Sequence, residues 1–207
     1  MDLNAEELWE MYRRCAALRV RMQAEALRAL PPDRVLAECK ALGLAVEREL
    51  YQADEGELAF AYDLAIYTAP PGRSRAIDRL AGRLAGRSGE EAALVLNALS
   101  QAWMSVFRVL GPHHEAGLLL EDVVLGGEAW VLDEALADHA APGTVLGLRL
   151  GRVAGFAITT GVVAVLDDAL AAQVERLVDG DMALAEEMLA SPRFVRTIWQ
   201  RGLPFRG

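Results

Sequence analysis

Four groups of side chains have the type and spacing to do chemistry. Arg75, Arg79, Arg83 and Arg87 recur at intervals of four within GRSRAIDRLAGRLAGRSG, residues 72–89. On a helix that spacing makes a ridge of guanidinium groups. Such groups pair bidentately with phosphate or carboxylate oxygens, so the ridge is a candidate site for an anion or an acidic partner. His113, His114 and Glu115 are consecutive, and Glu121, Asp122, Asp138 and His139 follow. Nitrogen and oxygen donors of these types can hold a divalent metal. The pairs Glu121-Asp122 and Asp133-Glu134 could share general acid and base work if burial split their pKa values. Asp63, inside the apolar run AYDLAIY, needs an internal partner, and Arg79 is the candidate.

Each group also has a plainer reading. Residues 72–89 contain no aromatic side chain, whereas single-strand and RNA binders stack bases on aromatics beside their basic groups. The histidine spacing matches no established metal site, and consecutive residues of a strand point to opposite faces. The acidic pairs stand at strand ends near glycines, where solvated turn residues are expected. Thr159-Thr160-Gly161 could hold a small anion through backbone amides. Cys15 and Cys39 align with apolar neighbours at helical spacing and read as core, as do Trp103, Met104 and Phe107. There is no G-x-S-x-G, G-x-G-x-x-G, Walker loop or H-E-x-x-H, so no catalytic residue is assigned and no cofactor is expected.

Charge distribution decides among these readings. The chain of 207 residues has a formal charge of −9, with 53% hydrophobic and 25% charged residues. Residues 1–112 hold 14 basic and 16 acidic side chains, residues 113–187 hold 3 and 14, and the remainder has four arginines and no acid. The acidic block is therefore the expected partner of the ridge, in the same chain or in a second copy. That favours a homo-oligomer over a nucleic-acid binder, and Trp9 and Trp199 in the terminal helices suit an interface. The start MDLNAEELWEMYRR is charged, without a signal-peptide apolar region, which predicts a cytoplasmic protein. Residues 143–166 are apolar, with Gly147, Gly151 and Gly155 at membrane-dimer spacing. Arg149 and Arg152 near the middle would each cost roughly 2.5–3.5 kcal/mol in a bilayer, so the run predicts a buried sheet and no membrane partner.

The elements that must position these residues follow from periodicity and punctuation. Asn4 with Glu7 is a capping box opening a helix that stops at Pro31-Pro32. Pro32 and Gly43 bracket a second helix, and a third spans 54–67. Residues 44–53 fit a short strand or a helix. Ser74 is the expected cap of the arginine helix. Ser88 with Glu91 is the expected cap of a long apolar helix over 89–110, the central helix of a bundle. After residue 112 short, alternating, glycine-punctuated runs predict antiparallel strands. Two helices close the chain, one over 167–190 broken at Gly180-Asp181 and one capped by Ser191. The fold class is α+β: a helical N-terminal bundle packed on a small antiparallel sheet or partial barrel. Residues 1–112 form the helical part and 113–207 the sheet with its closing helices, as one compact unit.

The runs YDLAIYTAPPGRSRAIDR and EDVVLGGEAWVLDEALADHAAPGTVLGLRLGRVAGFAITTG resemble a group of uncharacterised bacterial proteins, over about half the chain. In these a helical half precedes a small β segment. The resemblance implies that fold and no activity. A non-enzymatic interaction or regulatory module is the resulting expectation. A metal- or ligand-dependent enzyme using the His113 loop, and a nucleic-acid-associated protein using the ridge, are the alternatives.

Overall fold

The computed structural model describes residues 4–46, 49–50, 54–70, 72–178 and 182–205. Helix α1, Ala5–Arg28, opens on the expected capping box: Asn4 Oδ1 accepts from the Glu7 amide at 3.1 Å, and the Asn4 amide donates to Glu7 Oε2 at 2.8 Å. It buries Leu8, Tyr12, Cys15, Met22 and Ala26 along one stripe. Helix α2, Pro32–Leu42, begins at Pro32 and ends at Gly43, whose φ of 79° is the left-handed cap that glycine adopts without strain. The ambiguous stretch contains two two-residue strands, β1 (Ala45–Val46) and β2 (Glu49–Leu50), paired antiparallel. Asp54 and Glu57 form a second capping box for α3, Glu55–Tyr67.

Two caps differ from expectation. Helix α4, Ala76–Leu84, is capped by Arg75 rather than Ser74, through the Arg75 amide and guanidinium on the Asp78 carboxylate. Helix α5, Glu90–Ser100, starts at Gly89 without a side-chain cap. Ser88 instead bonds back to the Leu84 carbonyl, and Glu91 pairs with Arg14. The helix expected over 89–110 stops at Ser100, and its second half is strand β3, Trp103–Pro112. A run buried on both faces carries no period to separate helix from strand. The β-branched and aromatic content of WMSVFRV then decides for the strand. The passage from helices to sheet therefore lies at 101–102 rather than after 112.

The remaining elements are β4 (Leu118–Asp122), β5 (Glu128–Leu132), α6 (Glu134–His139), β6 (Val145–Val153), β7 (Phe156–Leu166), α7 (Asp168–Val178), α8 (Met182–Ala190), α9 (Pro192–Arg201) and β8 (Leu203–Pro204). Ser191 caps α9 as expected, while the break expected at Gly180-Asp181 lies outside the described residues. The sheet order is β5-β4-β3-β6-β7-β8, with antiparallel neighbours. A further parallel pairing joins β5 to β7 at Val131–Ala157 and Leu132–Ile158. That pairing closes five strands into a barrel, with α6 linking its third and fourth strands. This is the strand order of the five-stranded Greek-key barrel called the OB-fold. The fold is α+β, and the sheet is closed.

Three of the apolar clusters build the layers around the sheet, and a smaller one of Cys39, Ala45 and Ala61 joins α2 to α3. Phe107, Val109, Leu118, Leu120, Val131 and Leu148 fill the barrel with others of their strands. On one outer flank α1, α4 and α5 pack against Leu132, Val153, Phe156 and Ile158. On the other, α3, α7, α8 and α9 cover Met104, Val106, Ala164 and Leu166. Helix α3 contributes to both flanks and buries every residue from Asp63 to Tyr67. It holds the central place that the apolar run at 89–110 had suggested for itself. Two of the three glycines with membrane-dimer spacing serve this packing. A Cβ on Gly147 would collide with Ile198 of α9, and one on Gly151 would stand 2.7 Å from the Ala98 carbonyl oxygen of α5, whereas Gly155 faces open space. Gly151→Ala is expected to lower stability by about 1–3 kcal/mol through overpacking, and Gly155→Ala to leave it within about 0.5 kcal/mol. Urea unfolding of the two variants checks the contrast.

Candidate functional site

The arginine ridge breaks up in the folded chain. Arg75 binds Asp78 and the Ser100 carbonyl, Arg79 donates to the Ser74 carbonyl, and Arg83 pairs with Glu25 of α1 at 3.0 Å. Arg87 lies exposed in the turn after α4. These partners belong to the N-terminal half, and among the described residues no arginine of the ridge pairs with the acidic block 113–187. That block is met by other arginines: Arg13 on Glu134, and Arg108 on both Glu121 and Glu175.

The histidine loop joins β3 to β4. His113 stacks on Trp130 with ring centroids 4.2 Å apart, and His114 lies against His113 at the same separation. Desolvation, with the neighbouring His114 charge, pushes the His113 pKa down. His114 approaches Glu115 at 3.8 Å with its side chain 79% exposed. Among the described residues no three of His, Cys, Asp and Glu converge on a point that could hold a metal.

Of the acidic pairs, only the outer members are surface residues. Asp122 is buried and accepts from Ser105 Oγ at 2.5 Å, from the Val124 and Leu125 amides, and from Trp103 Nε1 at 3.4 Å. It therefore shapes the turn into β5 rather than facing solvent. Asp133 is likewise buried, capping α6 and accepting from Thr159 Oγ1 at 2.6 Å. In the segment that could have held an anion through its amides, the Gly161 amide donates to Thr159 Oγ1 at 3.1 Å, while Arg19 and Gln23 donate to the Thr159 and Thr160 carbonyls.

Asp63 does have an internal partner, but it is Arg149 and not Arg79. The guanidinium of Arg149 meets the carboxylate through Nε and Nη2, both at 3.2 Å, and lies 4.8 Å from the Tyr67 ring centre. Trp199 Nε1 donates to the same carboxylate at 3.3 Å, and the Trp199 indole stacks on Phe60. Asp63 and Arg149 are 1% and 5% exposed. A further buried acid, Glu38, carried no signal in the sequence: Arg34 and Arg196 converge on it, tying α2 to α9. Its neighbours in sequence are ordinary for an amphipathic helix, so no local signal marked it.

Burial raises the thiols of Cys15 and Cys39 above their ordinary range, which makes them poor nucleophiles. Desolvation and the nearby Asp133 push Tyr12 up to about 12, and burial raises Tyr67 as well. Trp130 and Phe156, on the flank where open barrels of this type take oligonucleotides, are instead packed into the cluster shared with α1, α4 and α5.

A family match spans most of these elements, from the first turn of α1 into α8. The chain belongs to a family of unknown function, DUF7986. The match covers residues 6–188 and so takes in the Asp63–Arg149 pair, the barrel and the histidine loop. No curated protein and no solved structure matches the chain. Among the described residues no helix is long and apolar enough to cross a membrane.

Two of the cavities on the described surface of this family member bear on function. One, of about 390 Å³, is a groove over α7, α8 and α9 with Leu170, Val174, Met188, Phe194 and Ile198 on its floor. Glu187, Arg193 and Arg201 stand on its rim. The other, of about 370 Å³, lies around Trp103, Arg75 and Arg149.

Proposed function

We propose that the chain is a non-enzymatic interaction module that works as a homodimer in the cytoplasm, joined through the groove of α7, α8 and α9. The observation that carries this reading is the groove itself, an apolar floor with charges of both signs on its rim. Glu187 stands on α8, and Arg193 and Arg201 on α9. A twofold axis through the groove sets each copy's acid against its partner's arginines, which is the self-complementarity an isologous interface requires. The apolar floor supplies the interface core, and the charged rim supplies register. Two buried, unlinked cysteines suit a reducing compartment. In this reading the helical part and the barrel act as one unit, because both outer clusters draw on helices and strands together.

The bridges across such a rim lie near solvent, so salt screens them. Light scattering after size exclusion is expected to give a dimer mass at low ionic strength, with the dimer fraction falling as salt rises. A monomer mass under every condition contradicts the reading.

A further inference from the structure

We propose that the cleft around Trp103 is a binding site for a small molecule with a planar apolar body and one anionic head, a carboxylate or a phosphate monoester. This does not rest on the dimer, since the cleft is a separate cavity whose occupancy is read directly. Two arginines line it from different elements. Arg149, on β6, spends Nε and Nη2 on Asp63, leaving Nη1 without a hydrogen bond among the described residues. Arg75, at the start of α4, spends Nε and Nη2 on Asp78 and the Ser100 carbonyl and likewise keeps Nη1. Each guanidinium is thus held in place by its own carboxylate before a ligand arrives. Preorganised donors of this kind favour an anionic oxygen and limit the ordering cost of binding it.

The rest of the wall selects the body. Trp103, Leu125 and Leu189 give the cavity apolar and aromatic sides. Trp103 is itself fixed, with the Arg152 guanidinium 4.9 Å from its ring and Asp122 accepting from Nε1. A volume of about 370 Å³ is in the range of small-molecule sites, which are mostly apolar with a few placed polar groups. Glu186 on the wall opposes a second negative charge near the mouth, so a polyanion such as an oligonucleotide is disfavoured. A single head meeting Arg75 and Arg149 is the chemistry that fits.

The test is fluorine NMR of the full chain labelled with 5-fluorotryptophan. The four tryptophans give four resonances, and Trp103→Phe identifies the one that matters. Phenyl phosphate and 3-phenylpropionate are the anionic probes, and 3-phenylpropanol is the neutral control. Saturable shifts of the Trp103 signal with either anion, and none with the alcohol, are expected. Which of the two anions binds assigns the head as phosphate or carboxylate. Arg75→Gln should weaken binding about tenfold or more, the loss of a charge-assisted hydrogen bond. Glu186→Gln, on the exposed wall, should tighten it about threefold, and this variant tests the site even if the first disturbs α4. A Trp103 signal unmoved by both anions, or moved equally by the alcohol, overturns the proposal.

Discussion

Asp63→Ala is expected to destabilise the protein by about 3–5 kcal/mol, because it leaves the Arg149 guanidinium buried without its counter-charge. Asp63 and Arg149 are 1% and 5% exposed, so solvent cannot take over the role of the missing carboxylate. The loss extends to the indole of Trp199, which donates to the same oxygen pair. The pair joins α3 to β6, and α9 meets it through Trp199, so its removal loosens the contact between helices and barrel. Replacing both charges, in Asp63→Leu with Arg149→Met, should recover most of the loss, since two apolar groups of similar volume need no counter-charge. Urea unfolding monitored by circular dichroism measures both. A single-variant cost below about 1 kcal/mol would mean that water reaches the pair in solution.

The second large effect is at Asp122. Asp122→Ala should cost about 2–4 kcal/mol, because the Val124 and Leu125 amides and the Ser105 hydroxyl lose their shared acceptor while staying out of water. Asp122→Asn keeps the Oδ1 acceptor that those three groups use. It places a donor near Trp103 Nε1 only if the amide nitrogen takes the Oδ2 position, so about 1 kcal/mol is expected. Thermal unfolding of the two variants gives the ranking. Equal losses would show that the carboxylate charge, rather than its geometry as an acceptor, matters at this turn.

These two residues show what the sequence could and could not carry. The helix caps at Asn4, Gly43 and Ser191 were legible, because capping depends on a few adjacent residues. The alternation of TVLGLRL pointed to an antiparallel sheet for the same local reason. Asp63 was legible as a residue in need of a partner, but Arg149 lies 86 positions away, and no local pattern encodes that distance. Asp122 and Asp133 looked like turn acids because each stands at a strand end. Their burial is non-local: Asp122 lies against Trp103 and Ser105 of β3, and Asp133 against Thr159 of β7 beside the β5–β7 pairing. The strand at 103–112 was hidden for the opposite reason. Once a segment is apolar on both faces, neither the helical nor the strand period survives in it. The ridge at 75–87 was read as one face of a helix, but only Arg79 and Arg83 lie within α4, and contacts such as Glu25 and the Ser100 carbonyl depend on how that helix meets α1 and α5.

Charge is also where the account of function is most exposed to experiment. In the proposed dimer, Glu187 of each copy faces Arg193 of the other, and both residues are exposed, so substitutions there should leave the fold intact. The decisive measurement is sedimentation velocity at low ionic strength on wild type, Glu187→Arg, Arg193→Glu and the double variant. Each single reversal sets like charges together and should shift the protein to monomer, and the double reversal should restore the dimer. Dimer populations that ignore the single reversals, or a double variant no better than either single one, would contradict an interface made by α8 and α9.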